Sequence, residues 1–462
     1  MEGSQAEAAE RRGPQYNHRM VCFLALQLDR VKELERPPSA SAEEWEAFEL
    51  SVHKGWRLVA KHTSPFDIRT FYKIEDMHST VEEICKYLKA QAREWRVDCG
   101  AALEGCVPQD FVQEDREYLH KLLAYILKGV ESGIDDKLLM EWLPIKRRHE
   151  VEMRELQIIG EDVLVLKRQM GQGGYGFVYE AEWNLATVAV KRPLRDGDLP
   201  IEEFASLVRE VMVQGRLRHP NIALVYATTP SGWLVMEAAD SDLGTLCHGK
   251  ERLSWHGTLN ILRQAAKGLC YLHNLSPAIV HSDVKASNFL VFGKEPSSCR
   301  IKVADFGLAF EALEGRSKTA RLGGGTLEWM APEIYEQKPI TISSDIFSFG
   351  VTMYEVLTGA YPYGSDKLNQ YAQAAVVMNK KLSGKEPCTI GPDDCPNDMH
   401  ALMMRCCSID PEDRPTMLEV IKCLEELPND WKPASQLSPK ASQQQPIFEG
   451  KLSAFHLAEY HK

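Results

Sequence analysis

Apolar side chains follow two different periods along the chain, and the period changes near residue 160. Before that point they recur every three or four residues in four stripes, Val21–Val31, Trp45–Val59, Met77–Leu88 and Leu119–Val130. This spacing puts apolar side chains on one face of a helix. One amphipathic helix cannot bury its own face, so we predict an antiparallel all-α bundle over residues 19–143.

Prolines and short polar residues indicate where these helices begin and end. Pro37 and Pro38 cannot continue the first helix. Ser64, Pro65 and Asp67 predict the start of the third helix, with Ser64 as N-cap, Pro65 in the first turn and Asp67 reaching back as in a capping box. Outside the bundle we predict a flexible leader over residues 1–18 and a charged connector helix over residues 144–160.

Beyond residue 160 the apolar runs become short, as in β-strands. Gly171, Gly173 and Gly176 form a GxGxxG pattern, which a strand-like run follows directly. A dinucleotide site would require a helix after the glycines, so a hairpin whose amides approach phosphate oxygens fits better. Lys191 ends the next strand and could hold two phosphates. The alternative is an exposed strand lysine.

A second candidate site lies in the twelve residues from His281 to Phe292. Asp283 could accept a proton from a hydroxyl, Lys285 could stabilise a transferring phosphoryl group, and Asn288 offers an amide oxygen to a divalent metal. Taken alone, the segment could equally be a polar turn that leads into a strand.

Composition narrows the classes of partner. The chain has 462 residues, a net charge of −12 and a pI near 5.7, which argues against a nucleic acid partner. No run of eighteen apolar residues is present, as a membrane-spanning helix would need. Twelve scattered cysteines predict reduced thiols and a cytoplasmic protein. Residues 431–462 are predicted to be a flexible tail.

Residues 161–430 resemble the protein kinases, whose motifs occur here in order. The matching segments are the glycine-rich loop at 171–178, Val188-Ala-Val-Lys191, the Asp283 loop, Ala304-Asp-Phe-Gly307, Ala331-Pro-Glu333, and the motifs around Asp345 and Arg414. The resemblance implies a bilobal α+β domain behind the bundle, with ATP and Mg²⁺ as cofactors and a protein as substrate. Lys285, Thr326 and Trp329-Met330 resemble the tyrosine-kinase-like group of serine/threonine kinases.

The resemblance assigns a role to each matching residue. It implies catalytic roles for Asp283 and Lys285 and an ion pair between Lys191 and Glu210. It implies that Asn288 and Asp305 bind the metal. The nucleotide would be held by Lys191 together with Gly171, Gly173, Gly174, Gly176, Val178, Ala189, Met236, Glu237 and Ala239. No catalytic role is vacant, which favours an active kinase over a pseudokinase.

Two positions depart from the family pattern. Ser282 stands where arginine is usual, so phosphates at Ser317, Thr319 or Thr326 would lack one anchor. Gln214 replaces an apolar residue, and a buried amide there needs partners. We therefore expect the helix that carries Glu210 to prefer a swung-out position.

The role of the bundle is open to two interpretations. Residues 56–78 resemble the N-terminal bundle of mixed-lineage-kinase-domain-like proteins. The bundle could be a folded interaction or autoinhibitory module, with Trp45, Trp56 and Trp95 in its core or seams. It could instead open to self-associate or to contact a membrane through the basic and aromatic residues between Lys54 and Lys73. The alternative to a regulated kinase is thus a nucleotide-binding switch with the bundle as effector.

Overall fold

A computed structural model describes residues 14–69, 71–153, 157–173, 176–192, 200–249, 251–312, 318–319, 326–335, 338–367, 370–391 and 393–433. The chain divides into two compact units. The first comprises residues 1–239 and 305–310, and the second comprises residues 240–304 and 311–462.

The first unit begins with a helical bundle, in agreement with the apolar stripes. Its helices are α1 (His18–Asp29), α2 (Ala42–Thr63), α3 (Ile74–Glu94), α4 (Gln109–Lys128) and α5 (Asp136–Met153). Their apolar faces form one core in which Met20, Leu24, Ile74, Met77 and Leu122 are fully buried. A capping box at Ser41 begins α2, since Ser41 and Glu44 each accept the other's backbone N–H.

Three details of the predicted bundle differ from the structure. The helix start predicted at Ser64 is wrong, because Ser64 ends α2 and α3 begins only at Ile74. Asp67 does not complete a capping box but binds the guanidinium of Arg69, with 2.8 Å between Oδ2 and Nη2. Helix α5 continues through Pro144, so no boundary falls between residues 143 and 144.

The predicted leader is also too long, because the core already includes the segment before α1. Tyr16 is 3% exposed and Asn17 is fully buried. Residues 1–13 lie outside the described residues, as do residues 434–462 of the predicted tail.

Aromatic side chains of the bundle face inward. Trp95 is buried and its ring lies 5.2 Å from that of Phe48 and 5.8 Å from that of Trp45, as predicted for core or seam residues. Phe66 and Phe71, which the membrane hypothesis would bring to the surface, are 1% and 5% exposed. Within the described residues, no helix combines the length and the apolar character needed to cross a membrane.

A sheet and a helix follow the bundle in the first unit. The described strands are β1 (Gln157–Ile158), β2 (Leu164–Gly173), β3 (Gly176–Trp183), β4 (Ala186–Arg192), β5 (Val225–Thr228) and β6 (Leu234–Glu237), in the order β1-β5-β6-β4-β3-β2. Strand β1 runs parallel to β5, and the other pairs are antiparallel. Helix α6 (Ile201–Gln214) lies between β4 and β5 in the chain.

The second unit is mainly helical. Its helices are α7 (Leu243–Cys247), α8 (Trp255–His273), α9 (Pro332–Tyr335), α10 (Ile342–Thr358), α11 (Gln370–Leu382), α12 (Asn397–Cys406) and α13 (Met417–Glu426). Short strands lie between these helices in the chain. One sheet contains β7 (Ser241–Asp242), β9 (Phe289–Phe292) and β10 (Arg300–Val303). Two further pairs are β8 (Ala278–Val280) with β11 (Phe310–Ala312), and β12 (Lys318–Thr319) with β13 (Pro339–Ile340). Helix α10 is buried along almost its whole length.

Candidate active site

The described residues of the predicted glycine loop lie at the facing ends of two paired antiparallel strands, β2 and β3. Gly171 lies opposite Val178, and Gly173 lies opposite Gly176, so the strand expected after the glycines is β3. Gly174 lies outside the described residues. A side chain on Gly171 would meet no atom within 4 Å, which leaves its backbone open to a ligand.

Lys191 lies at the centre of a buried charge cluster in the first unit. Its Nζ lies 2.7 Å from Oε1 of Glu210 and 3.1 Å from Oδ1 of Asp305. The lysine side chain is 11% exposed and that of Glu210 is 3% exposed. Burial alone would lower the pKa of Lys191, but the charges of Glu210 and Asp305 outweigh it and raise this pKa above its ordinary value. The ammonium group therefore stays charged.

Several of the residues predicted to hold the nucleotide lie on neighbouring strands of the same sheet. Ala189 pairs with Met236 across β4 and β6, and both belong to one apolar cluster against which Val178 packs. The Glu237 carboxylate accepts the N–H of Leu224 at 2.7 Å, which fixes the chain just before Ala239. Val178, Ala189 and Met236 thus form part of one apolar cluster on the strands next to and including the strand of Lys191.

In the second unit, Asp283, Lys285 and Thr326 bind one another. Lys285 Nζ lies 2.8 Å from Oδ2 of Asp283 and donates to Oγ1 of Thr326 at 2.7 Å. The Thr326 hydroxyl in turn donates to Oδ1 of Asp283 at 3.3 Å. Of the other two predicted phosphorylation sites, Ser317 lies outside the described residues and Thr319 lies in β12.

Asn288 is oriented by the same aspartate. Its Nδ2 donates to the backbone oxygen of Asp283 at 2.7 Å and to Oδ2 at 2.9 Å. Since both amide hydrogens point to Asp283, the amide oxygen faces away from it. This oxygen is a hard donor of the kind that Mg²⁺ prefers.

Asp345 holds the loop that carries Asp283. Its carboxylate accepts the N–H groups of His281 and Ser282 at 2.8 Å each, and it lies 3.0 Å from Nε2 of His273. Ser282 adopts a left-handed backbone conformation with φ of +65°, which the two hydrogen bonds to Asp345 stabilise. The Ser282 hydroxyl is buried and has no hydrogen-bond partner.

The swung-out position expected for the helix with Glu210 is not the one observed. Gln214 is 1% exposed, and its Nε2 donates to the backbone oxygen of Ala223 at 2.9 Å. Its Oε1 has no hydrogen-bond partner. One good hydrogen bond thus accommodates the amide while Glu210 stays on Lys191.

Sequence reasoning missed Lys381, a buried lysine that contacts the segment following Thr326. Its Nζ donates to the backbone oxygens of Leu327 at 2.7 Å and Met330 at 2.6 Å. The Tyr335, Phe347 and Tyr363 rings surround it at 5.3 to 5.5 Å. In the sequence Lys381 follows Lys380 in a polar stretch, and nothing there distinguishes it.

Comparison with known proteins identifies the family to which this part of the chain belongs. The family described as "Protein kinase domain" matches residues 164–424, more than half of the chain. Serine/threonine-protein kinase CTR1 of Arabidopsis thaliana is 33% identical over 59% of this chain and 33% of its own length. Mitogen-activated protein kinase kinase kinase 10 of Mus musculus is 32% identical over 72% of this chain and 32% of its own length. Mitogen-activated protein kinase kinase kinase 11 of Rattus norvegicus is 37% identical over 57% and 31%. The alignments thus cover about a third of each of these relatives.

Proposed function

The chain belongs to the protein kinase family, whose members use ATP with Mg²⁺, and from this premise we propose that it transfers the γ-phosphate of ATP to serine and threonine hydroxyls of a protein substrate. The observation that carries the proposal is the contact of Lys191 with both Glu210 and Asp305. A buried lysine held between two carboxylates presents a fixed positive charge to phosphate oxygens.

The proposed chemistry depends on positioning and on charge neutralisation. Asp283 orients the attacking hydroxyl and accepts its proton, and Lys285 beside it offers a cation to the transferred phosphoryl group. Asn288 and Asp305 would hold Mg²⁺, which neutralises phosphate charge when bound. Serine/threonine specificity is supported by the contact between Lys285 and Thr326 and by the name of the Arabidopsis relative.

A transfer assay with the purified full chain tests this proposal. Wild type should move radiolabelled phosphate from Mg²⁺-ATP to a serine- and threonine-containing protein, and Lys191→Met and Asp283→Asn should each lower kcat at least about a hundredfold. Matched controls are Lys167→Met, at an exposed lysine paired with Glu182, and Asp430→Asn, at an exposed aspartate. Transfer that survives both active-site substitutions would refute the residue roles.

We also propose that the bundle regulates this kinase in the cytoplasm. Support for regulation comes from the core that the bundle shares with α6, the helix of Glu210. The cytoplasmic assignment is supported by the twelve cysteines, all of which are free thiols, as a reducing compartment requires. If the bundle regulates the kinase, ligands or partners that bind to the bundle should change kcat.

The competing proposal is a nucleotide-binding switch whose bundle self-associates or contacts a membrane. It needs the apolar core around Phe66 and Phe71 to open. Dye release from anionic vesicles, measured for the full chain with and without Mg²⁺-ATP, tests it. If the Lys191→Met protein releases as much dye as wild type, the action on the membrane does not depend on phosphoryl transfer.

A further inference from the structure

Helix α6 is packed on both sides by elements of its own unit. Toward the bundle, Phe204, Ala205, Val208 and Met212 belong to the same apolar core as the bundle helices. Toward the sheet, Val211 packs in the cluster that contains Ala189 and Met236, and Glu210 meets Lys191. A shift of the bundle against α6 would therefore alter the position of Glu210.

At the beginning of α6, Glu202 binds the bundle. Its Oε2 accepts the backbone N–H of Ile74 at 3.2 Å, and its Oε1 lies 3.0 Å from Nε2 of His120. Ile74 is the first residue of α3, and the residue before it, Lys73, provides no side-chain cap. A carboxylate at a helix N-terminus satisfies a free N–H group and complements the helix dipole. Glu202 therefore caps α3 from outside the bundle.

Two turns further along α6, Arg209 binds the loop between α2 and α3. Its Nη2 donates to the backbone oxygen of Phe71 at 3.0 Å, and its Nε donates to that of Ile68 at 3.3 Å. The guanidinium group also lies 5.1 Å from the centre of the Phe71 ring. Charged donors on backbone carbonyls are among the stronger hydrogen bonds, and here a stacked ring adds to them.

These contacts fix how α6 is rotated about its axis. Residues seven apart share a face of a helix, as Glu202 and Arg209 do, while neighbours such as Arg209 and Glu210 differ by about 100°. Binding Glu202 and Arg209 to the bundle therefore leaves Glu210 directed toward Lys191. Because the same helix buries the polar amide of Gln214, the contacts with the bundle help to keep α6 in this position.

We propose that Glu202 and Arg209 are positioning residues through which the bundle holds Glu210 on Lys191, so that the bundle acts as a built-in activator. The proposal rests on the kinase function proposed above. It commits to a direction: loosening the contact between the bundle and α6 lowers the rate of phosphoryl transfer.

The experiment measures kcat and KM for ATP in full-length variants. Arg209→Met keeps the aliphatic stem but removes the guanidinium group, and we expect about a tenfold loss of kcat. Glu202→Gln should also lower kcat. Glu203→Gln is the matched control, because Glu203 lies in the same first turn but is exposed, and it should behave as wild type. Arg209→Lys, which keeps the charge, should recover part of the loss.

A double-mutant cycle separates positioning from a merely structural role. If Arg209 acts through Glu210, then Arg209→Met should change kcat little in a Glu210→Gln background. Additive losses in the cycle, or a lower melting temperature of Arg209→Met with unchanged kcat at 25 °C, would overturn the proposal.

Hydrogen exchange provides a readout that does not depend on activity. In a Lys191→Met background, Arg209→Met should speed exchange of the α6 amides over residues 204–214, and Glu203→Gln should not. If Arg209→Met speeds exchange but the wild-type protein transfers no phosphate, the kinase function is refuted, while the coupling between the bundle and α6 stands. Unchanged exchange would refute the coupling.

Discussion

Arg414 and Glu333 form a buried, bidentate ion pair, with 2.7 Å from Nη1 to Oε1 and 2.8 Å from Nη2 to Oε2. The side chain of Arg414 is 0% exposed and that of Glu333 is 5% exposed. Burial would raise the pKa of Glu333, but the hydrogen bonds and charge of Arg414 reverse this and lower it. The pair joins the end of the Ala331-Pro-Glu333 segment to the chain just before α13.

Removing one partner of this pair should be costly. We expect Arg414→Met to lower the free energy of unfolding by about 3–5 kcal/mol, because it leaves a buried carboxylate without its counterion. Guanidinium unfolding at pH 7 measures the change. The control is Arg252→Met, which breaks the exposed pair with Asp394 and should cost no more than about 1 kcal/mol. Equal losses in both variants would contradict the argument.

A second prediction concerns acid and His62. Burial lowers the pKa of His62 from its ordinary 6.5 to about 4. Its Nδ1 donates to the backbone oxygen of Leu58 at 2.8 Å, so its Nε2 can accept from Nδ2 of Asn17 at 3.3 Å in the neutral form. Between pH 6.5 and 4 the unfolded chain binds a proton that the folded chain does not. Stability should therefore fall by about 3 kcal/mol as the pH drops through this range.

Thermal unfolding of His62→Gln and His53→Gln at pH 7 and pH 5 tests this prediction. His53 is a close match, since it also lies on α2 with Nδ1 at the carbonyl four residues earlier, but it is exposed. The loss of melting temperature between the two pH values should shrink in His62→Gln and persist in His53→Gln. The same pH dependence in both variants would count against His62.

Lys381 predicts a further gain of stability with rising pH, in the alkaline range. Burial lowers its pKa from 10.5 to about 7. Even the neutral amine has two hydrogens for the oxygens of Leu327 and Met330. Between pH 7 and 10.5 the unfolded chain holds a proton that the folded chain has lost, so stability rises with pH. From pH 7 to 9.5 the contribution is about 3 kcal/mol.

Denaturant unfolding of Lys381→Met at these two pH values measures that contribution. The variant should lack the rise, whereas Lys385→Met, at an exposed lysine four residues further along the chain, should keep it. If Lys381→Met responds to pH as wild type does, another group carries the effect.

Thr326 gives a prediction about phosphorylation. Its hydroxyl already bridges Asp283 and Lys285, so a negative group there would be repelled by Asp283 and would compete for Lys285. We expect Thr326→Glu and Thr326→Val to lower kcat by about tenfold or more, and Thr326→Ser to retain most of it. Activation by Thr326→Glu would contradict this assignment.

The sequence predicted those parts of the site that lie close together in the chain. Asp283, Lys285 and Asn288 fall within six residues, and the structure brings them together. Lys191 and Glu210 were paired through the family resemblance, and their ion pair is present. The kinase fold and the relatives in the tyrosine-kinase-like group are likewise confirmed.

Contacts between distant segments were not predictable in this way. Glu202 caps Ile74 across 128 positions, and Arg209 reaches Ile68 across 141. No local pattern encodes such partners. The error at Ser64 has the same origin: serine, proline and aspartate are typical of a helix start, but the N–H groups that begin α3 are served partly by a side chain of α6.

The core shared by the bundle and α6 has a practical consequence for anyone preparing a shortened protein. A fragment that begins at residue 157 would carry every kinase motif but would present Phe204, Val208 and Met212 to water. An exposed apolar surface of this kind promotes aggregation. A calorimetric scan of the intact chain should then show the bundle and α6 melting together in a single transition, since neither can unfold without uncovering the other.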